Sequence, residues 1–526
     1  VEVAPEWSYD TGNDVNKVAI SEDGKYIFAA NNNGDNLGVY LFENDSSTPL
    51  WSYEPDDAPR CLAISADGEY AVVGTGSYGV FKGYVYLFNK ESSTPLWTYD
   101  TGADYINTIA ISADGNYIAA GDADNTVYLF YKDSSTPLWS YTLSTSTGSV
   151  YVDISDGGSY ITAGHRDKVY FFDKVSGTPI WTSVLGGSSS LSSIAISADG
   201  QYIITGSDYS AGYIGKVTLF IKNGTELWNF TDSPYGCCGS YIKSVDISAD
   251  GEYFVAGRGS GMADVDNDAV FLFRKNNSTP LWNFTGGDER VHSVKISEDG
   301  QYITSFGEDN IVYFFDKNSS TPRWTYDSEG RGRTVAMSAY GKYIAVGSDD
   351  NKVYLFKNSL VSNLKLKAYA PYNGDNTATD LMLGWFANSD NRDNLTFDVY
   401  LDTDSDPSTK VADDITTLYY NLHCLSQDTY YWKVVATDDT GSVTSSVMNF
   451  TVTSQGNIFC ISIDDDYDPD TLTIKKGSTV IWINDDSSIH TVTEDDDEFD
   501  SGSISPGNTW SYTFNTVGTY DYYDQY

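Results

Sequence analysis

The side chains capable of chemistry are few and scattered. There are four histidines, His165, His292, His423 and His490, and no two of them stand at metal-ligand spacing. No phosphate-cradling glycine loop, nucleophile elbow or His-Glu-x-x-His pattern occurs. Carboxylates offer more. Asp264-x-Asp266-x-Asp268 and Asp402-x-Asp404-x-Asp406 alternate as calcium loops do, although neither carries the glycine and glutamate that complete an EF-hand. These six residues are the candidate ligands of a calcium ion, the one cofactor the sequence suggests; solvated acidic surface is the alternative. Two of the five cysteines are adjacent, Cys237-Cys238, with glycines on either side that permit a strained vicinal disulfide; two free thiols are the alternative. Cys424 and Cys460 form a second candidate pair, and Cys61 reads as core.

Strands must hold these groups. The chain of 526 residues carries 42 Tyr, 23 Phe and 12 Trp. Its regular stretches favour Val, Ile, Tyr, Phe and Thr, and no run has helical period, so the fold class is all-β. One unit repeats. It reads Ile109-Ala-Ile-Ser-Ala-Asp-Gly-Asn-Tyr-Ile-Ala-Ala-Gly121, then Val127-Tyr-Leu-Phe130, then Ser134-Ser-Thr-Pro-Leu-Trp139. These are short strands separated by turns, with Asp-Gly as a hairpin turn and proline confined to an edge strand. The closing tryptophan recurs at Trp7, Trp51, Trp97, Trp139, Trp181, Trp228, Trp282 and Trp324, at intervals of 42 to 54 residues, the length of a four-stranded blade. The first lies in Pro5-Glu-Trp-Ser-Tyr9, ahead of any complete unit, while the last unit, Ala336 to Leu360, lacks its own Thr-Pro-Leu-Trp. The opening segment therefore completes the last blade. The result is an eight-bladed β-propeller over residues 1–360 without an open edge, and Val1 to Ala4 remain as a free strand-like segment.

Charge limits the partners. With 74 acidic and 31 basic residues, net −43, the chain has no basic face for nucleic acid or an anionic membrane. No apolar run approaches the ~18 residues of a membrane span. A start at Val1 without Met reads as a mature end left by signal-peptide removal, which implies an extracellular protein. Asn44, Asn223, Asn229, Asn276, Asn277, Asn283, Asn318, Asn394 and Asn449 open Asn-x-Ser/Thr sequons and are candidate glycosylation sites. Against this acidity, Arg60, Arg166, Arg258, Arg290, Arg331 and Arg333 are expected in loops on one face. Aligning the inner strands on Ile-Ser places Asn16, Arg60, Asn107, Val150, Ser192, Lys243, His292 and Arg333 in one column. Arg60, Lys243, His292 and Arg333 are thus the candidate binding residues of a positive mouth that accepts an acidic partner. Pairing with nearby acids such as Asp56, Asp288 and Glu329 is the alternative.

The repeat resembles WD40-type propellers in Ile-Ser-Ala-Asp-Gly-x-Tyr-Ile and quinoprotein (PQQ-type) repeats in Val-Tyr-Leu-Phe-x-Lys-x-Ser-Ser-Thr-Pro-Leu-Trp. In PQQ alcohol dehydrogenases a vicinal disulfide lies over the cofactor, the position the resemblance implies for Cys237-Cys238. The calcium-binding and catalytic acids of those enzymes have no counterpart that can be assembled here. Residues 361–453 resemble a fibronectin type III domain in Ala370-Pro-Tyr-Asn-Gly374, Leu381-Met-Leu-Gly-Trp385 and Thr429-Tyr-Tyr-Trp-Lys-Val-Val-Ala436, with Tyr430 at the corner position. Residues 454–526 resemble a small cupredoxin of the plastocyanin or halocyanin kind in Leu472-Thr-Ile-Lys-Lys-Gly-Ser-Thr-Val-Ile-Trp482, Asn484-Asp-Asp-Ser-Ser-Ile-His-Thr-Val492 and Tyr512-Thr-Phe-Asn-Thr-Val-Gly-Thr-Tyr-Asp-Tyr-Tyr523. Cys424 and Cys460 would tie these two modules together. The family's type 1 copper takes two His, a Cys and a Met. His490 matches the first ligand, but Asp524 stands where the thiolate belongs, and without thiolate there is no blue-copper site. The resemblance also implies a final strand past Tyr526. Either the natural chain continues, or Val1 to Ala4 of another copy fill the groove by strand donation.

Two functions are expected from this. The first is an extracellular structural or interaction protein, a self-assembling filament or surface-layer subunit, without enzymatic activity, whose partners are other copies of itself or another surface protein. The alternative is a secreted redox protein, either a PQQ-type propeller enzyme or a copper carrier.

Overall fold

The computed structural model describes the chain except residues 1, 33–36, 78–82, 104, 144–147, 187–188, 210–213, 233–239, 261–268, 287–289, 360, 362–363, 371–374, 378–380, 389–394, 423–424, 440, 453–457, 465, 470, 487, 496–497, 507 and 525–526. The described residues are all-β. From Trp7 to Lys357, 32 strands form eight four-stranded antiparallel sheets. The first blade runs from the axis outwards through Val15–Ile20, Tyr26–Asn31, Gly38–Glu43 and Trp51–Tyr53. The last takes Gly332–Met337, Tyr343–Ser348, Lys352–Lys357 and, outermost, Trp7–Asp10, with Trp7 opposite Leu355 and Asp10 opposite Lys352. This is the closure the repeat count requires.

Three contacts recur around the ring. The tryptophan of one blade lies on a phenylalanine of the next, Trp51 on Phe88 with centroids 5.4 Å apart and, across the closure, Trp7 on Phe42 at 5.3 Å. Such pairs add roughly 0.5–1.5 kcal/mol to the area they bury. The same indole donates Nε1–H to the next blade's main chain, Trp51 to Lys90 O at 2.7 Å, and the Lys90 ammonium returns to lie 5.5 Å from the Tyr26 ring centroid. The Asp-Gly turn supplies the third. Gly68 has φ of +74°, and a Cβ there would lie 2.2 Å from Tyr26 Cδ2, so both backbone and space demand glycine. Just ahead of these turn residues, Glu22, Ala66, Ala113, Asp156, Ala198, Ala249, Glu298 and Ala339 form a closed circuit. Each N–H donates to the carbonyl of the next at 2.8–3.3 Å, and Ala339 N–H returns to Glu22 O.

The segment ahead of Trp7 is not free. Glu2 bridges Thr325 in parallel, and Val3 N–H donates to Thr325 O at 3.3 Å. The Val3 side chain joins the cluster around Trp324, which is only 6% exposed. The segment thus covers the outer edge of the seventh blade at Thr325, in the outer strand Trp324–Asp327. Donating it to another copy first requires leaving that edge. Val1 lies outside the described residues.

Two sandwiches follow the ring. In the first, Lys365–Ala370, Leu381–Asn388 and Tyr419–Leu422 face a sheet built on Thr396–Asp402, Thr429–Asp438 and Met448–Val452. Phe397, Val399 and Leu401 point inwards between Asp398 and Tyr400, and Leu383, Trp385, Trp432 and Phe450 are fully buried. Tyr430 Oη is 2.8 Å from Ser426 Oγ. This core continues into Ala66 and Ala113 of the ring, so the module rests on the face that bears the Asp-Gly turns. Val361, 2% exposed, packs on Ala198, Ala249, Ala339 and Tyr340 and caps the circuit from the same side. The last sandwich is built on Ile458–Asp464, Ser478–Asn484 and Thr509–Phe514 around Trp482, Val492, Phe499 and Phe514.

Candidate functional site

On the opposite face the inner strands begin with a β-bulge in seven blades. Registers slip between Val15 and Lys17, Pro59 and Cys61, Ile106 and Thr108, Leu191 and Ser193, Ile242 and Ser244, Val291 and Ser293, and Gly332 and Thr334. The extra residues are Asn16, Arg60, Asn107, Ser192, Lys243, His292 and Arg333. The column read from the sequence is therefore the column of bulged residues. Its eighth member, Val150, sits in an unbulged strand and is fully buried. A bulge breaks the alternation of a strand and re-aims one side chain, here around the mouth of the axial channel.

Most of the column is engaged across or within the blades. Asn16 Nδ2 donates to Pro59 O at 3.1 Å and Asn107 Nδ2 to Val150 O at 2.9 Å. Arg60 Nε donates to Gly76 O at 2.9 Å, with its guanidinium 4.1 Å from the Tyr105 ring centroid. Arg333 grips Asp349 through Nε and Nη2, the latter at 2.7 Å. His292 Nε2 lies 3.0 Å from Glu308 Oε1, which Arg290 approaches at 3.7 Å. Burial lowers the His292 pKa by more than the Glu308 hydrogen bond raises it. The acids that take these cations are Glu308 and Asp349; Asp288 lies outside the described residues. Arg258 is buried against Asp232 at 2.6 Å and belongs to the blade wall.

Lys243 differs. It is exposed, and among the described residues no hydrogen bond or ion pair engages its ammonium. Among the described residues the same holds for Lys17 and Arg331, both exposed; Arg331 is one of the six arginines expected on this face, whereas Lys17 is a cation that the alignment of a single column passed over. Lys17 directly follows the bulged Asn16, so reading the next column would have found it. The lysine tips reach solvent while the channel walls exclude much of the water around them. Burial pushes the Lys17 amine below its ordinary value; Cys61 opposes this, and Lys243 and Lys295 reinforce it. Burial, then Arg290, does the same to Lys243.

Deeper in the channel, carboxylates join the cations. Lys295 Nζ donates to Asp246 Oδ1 at 2.9 Å, and Asp246 also accepts Ile296 N–H at 2.9 Å. Asp153 accepts Ile196 N–H at 2.9 Å, and burial pushes its carboxyl up to about 6. At the capped end, burial and then the neighbours Asp156 and Glu298 hold Glu22 well above the usual carboxylate range. Cys61 is a free, buried thiol pushed up to about 12 by burial.

The remaining sequence candidates fall elsewhere. Cys237, Cys238, Asp264, Asp266, Asp268, Cys424 and Asn394 lie outside the described residues. Cys460 is disulfide-bonded. Asp402, Asp404 and Asp406 do not converge as a calcium set. Asp402 accepts Thr403 N–H at 2.8 Å and Thr409 Oγ1–H at 2.9 Å to cap its own loop, and Asp406 pairs with Lys433 at 2.8 Å. The one carboxylate cluster gathered among the described residues is Asp398, Asp413 and Asp414, and the Lys410 ammonium already sits on it, 2.8 Å from Asp398 and 2.6 Å from Asp413. Asn223, Asn229, Asn276, Asn277, Asn283 and Asn318 are exposed, whereas Asn44 is half-buried and donates to Gly24 O at 2.8 Å; Asn449 is also half-buried.

At the cupredoxin-like position, His490 Nδ1 is 2.6 Å from Asp524 Oδ2 and Nε2 is 2.7 Å from Asp486 Oδ2. The hydrogen bonds of Asp524 and then Asp486 raise its pKa. Asp524 Oδ1 also accepts Thr491 N–H at 2.8 Å. Both ring nitrogens are occupied, and the would-be thiolate is a carboxylate bound to the ring. These residues do not fit type 1 copper.

Residues 81–235 match the family model of the outer membrane protein assembly factor BamB, and residues 278–316 that of the WD domain, G-beta repeat. A plastocyanin from Scenedesmus fuscus is 35% identical over 68 residues, which are 11% of this chain and 69% of that protein. Among solved structures, Sqt1 of Chaetomium thermophilum bound to the N-terminus of ribosomal protein L10 aligns with a TM-score of 0.55 at 18% identity, over 67% of this chain and 98% of that one. The computationally designed Ika8 protein aligns at 0.52 and 13% identity, over 68% and 99%. At these identities the likeness concerns the propeller fold alone. Among the described residues no helix is long and apolar enough to cross a membrane.

Proposed function

We propose that this chain, a β-propeller protein whose C-terminal module belongs with the plastocyanins in sequence, works as an extracellular interaction scaffold that docks an acidic protein on the mouth of its ring. One observation carries the reading. The Asp-Gly face is covered by Val361 and the first sandwich, while the opposite face of a chain with net charge −43 presents Lys17, Lys243 and Arg331, whose charged groups make no hydrogen bond or ion pair among the described residues. Opposite charge both steers encounter and fixes register. The rest of this chain's surface is the kind of acidic surface such a mouth accepts, so the partner is a second copy or another acidic surface protein. Repetition of that contact builds a filament or layer, with the first sandwich as a fibronectin-like spacer.

Sedimentation at low and high salt tests it. Wild type is expected to self-associate, or to bind an acidic surface protein, at low salt and to dissociate at high salt. Lys243→Glu/Arg331→Glu is expected to stay dissociated. Association that ignores both salt and charge reversal contradicts the reading.

A further inference from the structure

The seam between the ring and the first sandwich, on the face away from the mouth, holds a cavity of about 380 Å³. That lies within the range of small-molecule pockets, roughly 300–1,000 Å³. The ring supplies a polar wall from two neighbouring Asp-Gly turns, with Lys25 and Tyr26 from the first blade and Asp67 and Glu69 from the second. Lys90 stands beside them, and the sandwich supplies an apolar wall through Leu395 and Leu418.

Tyr26 is the common support of the polar wall. Lys25 Nζ is 5.3 Å and Lys90 Nζ 5.5 Å from its ring centroid. Gly68, next to Asp67, rests so closely on the same ring that a Cβ there would lie 2.2 Å from Tyr26 Cδ2. Lys90 and Glu69 satisfy each other at 2.8 Å, and Glu69 also accepts Asn89 Nδ2–H at 2.6 Å. Two poles are left. Asp67 uses Oδ1 to accept Ser65 Oγ–H at 2.7 Å and Glu69 N–H at 2.9 Å, while its Oδ2 receives no hydrogen bond among the described residues. Burial outweighs these bonds and raises the Asp67 pKa. The ion pair of Lys25 among the described residues is with Glu43, at 3.7 Å, too long for a hydrogen bond.

Opposite charges facing an apolar wall match a molecule that carries both charges and an apolar side chain. A simple anion would meet Asp67 and Glu69, and a simple cation would meet Lys25 and Lys90. A stacked sugar ring finds no open aromatic face, because Gly68 and the two lysines already crowd Tyr26. We propose that the seam cavity binds a small zwitterion with an aliphatic side chain, a free amino acid or a dipeptide. Its ammonium donates to Asp67 Oδ2, its carboxylate accepts from Lys25 Nζ, and its side chain lies on Leu395 and Leu418. Both polar contacts are charge-assisted hydrogen bonds. Ring and sandwich each contribute one wall, so the ligand also ties the two modules together. No covalent step is involved, and the site does not depend on the docking mouth.

Calorimetry on the full chain tests this with leucine, leucylglycine, 4-methylpentanoate and 3-methylbutylamine. The last two keep the aliphatic chain and one charge each. Leucine or leucylglycine is expected to bind about tenfold or more tightly than either, the usual gain from one charge-assisted bond, and the tighter of the two tells amino acid from dipeptide. Asp67→Asn keeps an acceptor oxygen for the turn but removes the negative pole. It should weaken the zwitterion by about tenfold or more and spare 4-methylpentanoate. Lys25→Gln should weaken the zwitterion similarly and spare 3-methylbutylamine. Asp250→Asn makes the same change in the sixth blade, where Asp250 accepts Ser248 Oγ–H at 2.6 Å and Glu252 N–H at 3.0 Å without lining the cavity. It should bind the zwitterion as wild type does. Leu395→Trp, which fills the apolar side and leaves both poles in place, should weaken binding. The proposal is overturned if the zwitterions bind no more tightly than the singly charged compounds, if Asp67→Asn and Lys25→Gln both leave their affinity unchanged, or if glucose binds more tightly. A loss in Asp250→Asn equal to that in Asp67→Asn would assign the effect to the ring and overturn it as well.

Discussion

His490 and Asp524 meet at 2.6 Å, Nδ1 to Oδ2, at the spot where a plastocyanin-like fold would join its imidazole and thiolate to copper. With Asp486 on Nε2 at 2.7 Å, the ring is bracketed by carboxylates. The geometry favours the imidazolium, because only that form donates from both nitrogens. These contacts form an ion-pair lock that ties the segment around Asp524 to His490 and Thr491.

This lock makes a pH prediction with a definite sign. The folded pKa of His490 lies above its unfolded value near 6.5. Its stabilisation is therefore fully present below pH 6.5 and is lost as pH rises through the folded pKa. Thermal unfolding of the last sandwich should weaken from slightly acid to alkaline pH in wild type and respond less in His490→Gln. A wild-type profile no steeper than that of the variant counts against the lock.

The blade seams can be tested one contact at a time. Trp51→Phe keeps the stacking on Phe88 but removes the Nε1–H bond to Lys90 O, at an expected cost of about 1 kcal/mol. Gly68→Ala should cost more. Its left-handed backbone alone penalises Ala by roughly 1–2 kcal/mol, and the new Cβ must displace Tyr26. Denaturant midpoints should rank wild type above Trp51→Phe above Gly68→Ala. The reverse order of the variants would mean the turn tolerates Ala by shifting.

The segment ahead of Trp7 offers a fluorescence test. Val3→Asp should lift Glu2 and Val3 from the seventh blade, expose Trp324 and red-shift its emission while the ring stays closed through Trp7–Asp10. A spectrum identical to wild type would mean that Trp324 is shielded without that segment.

Mouth residues that look alike in sequence should behave differently. Arg333 is committed to Asp349 by two bonds, whereas no described residue bonds the Lys243 ammonium. Lys243→Gln is therefore expected to weaken an acidic partner more than Arg333→Gln does, as measured by calorimetry. Equal losses would show that only summed charge matters.

The ring was largely legible in the sequence because each blade repeats the same local instructions. Asp-Gly turns, Thr-Pro edges and spaced tryptophans agree with one another, and the unmatched Trp7 gave the closure. The column of bulged residues was also legible, since aligning Ile-Ser aligns the bulges. What could not be read was which cations are satisfied. That depends on where Glu308 and Asp349 fall on neighbouring strands, and it turned Arg333 from a free cation into a held one. Asp402, Asp404 and Asp406 misled for a similar reason. Alternating aspartates resemble ligands, but here the loop's own N–H groups and Lys433 claim two of them. Val3 was missed because the free edge at Thr325 is a tertiary feature with no local signature.

Lysine footprinting by mass spectrometry on the associated and dissociated protein tests the docking mouth most directly. Lys17 and Lys243 should lose reactivity on association, while Lys174 at the ring's perimeter and Lys476 in the last sandwich keep theirs. Protection of Lys174 or Lys476, with Lys17 and Lys243 as reactive as before, would place the contact elsewhere and contradict the account.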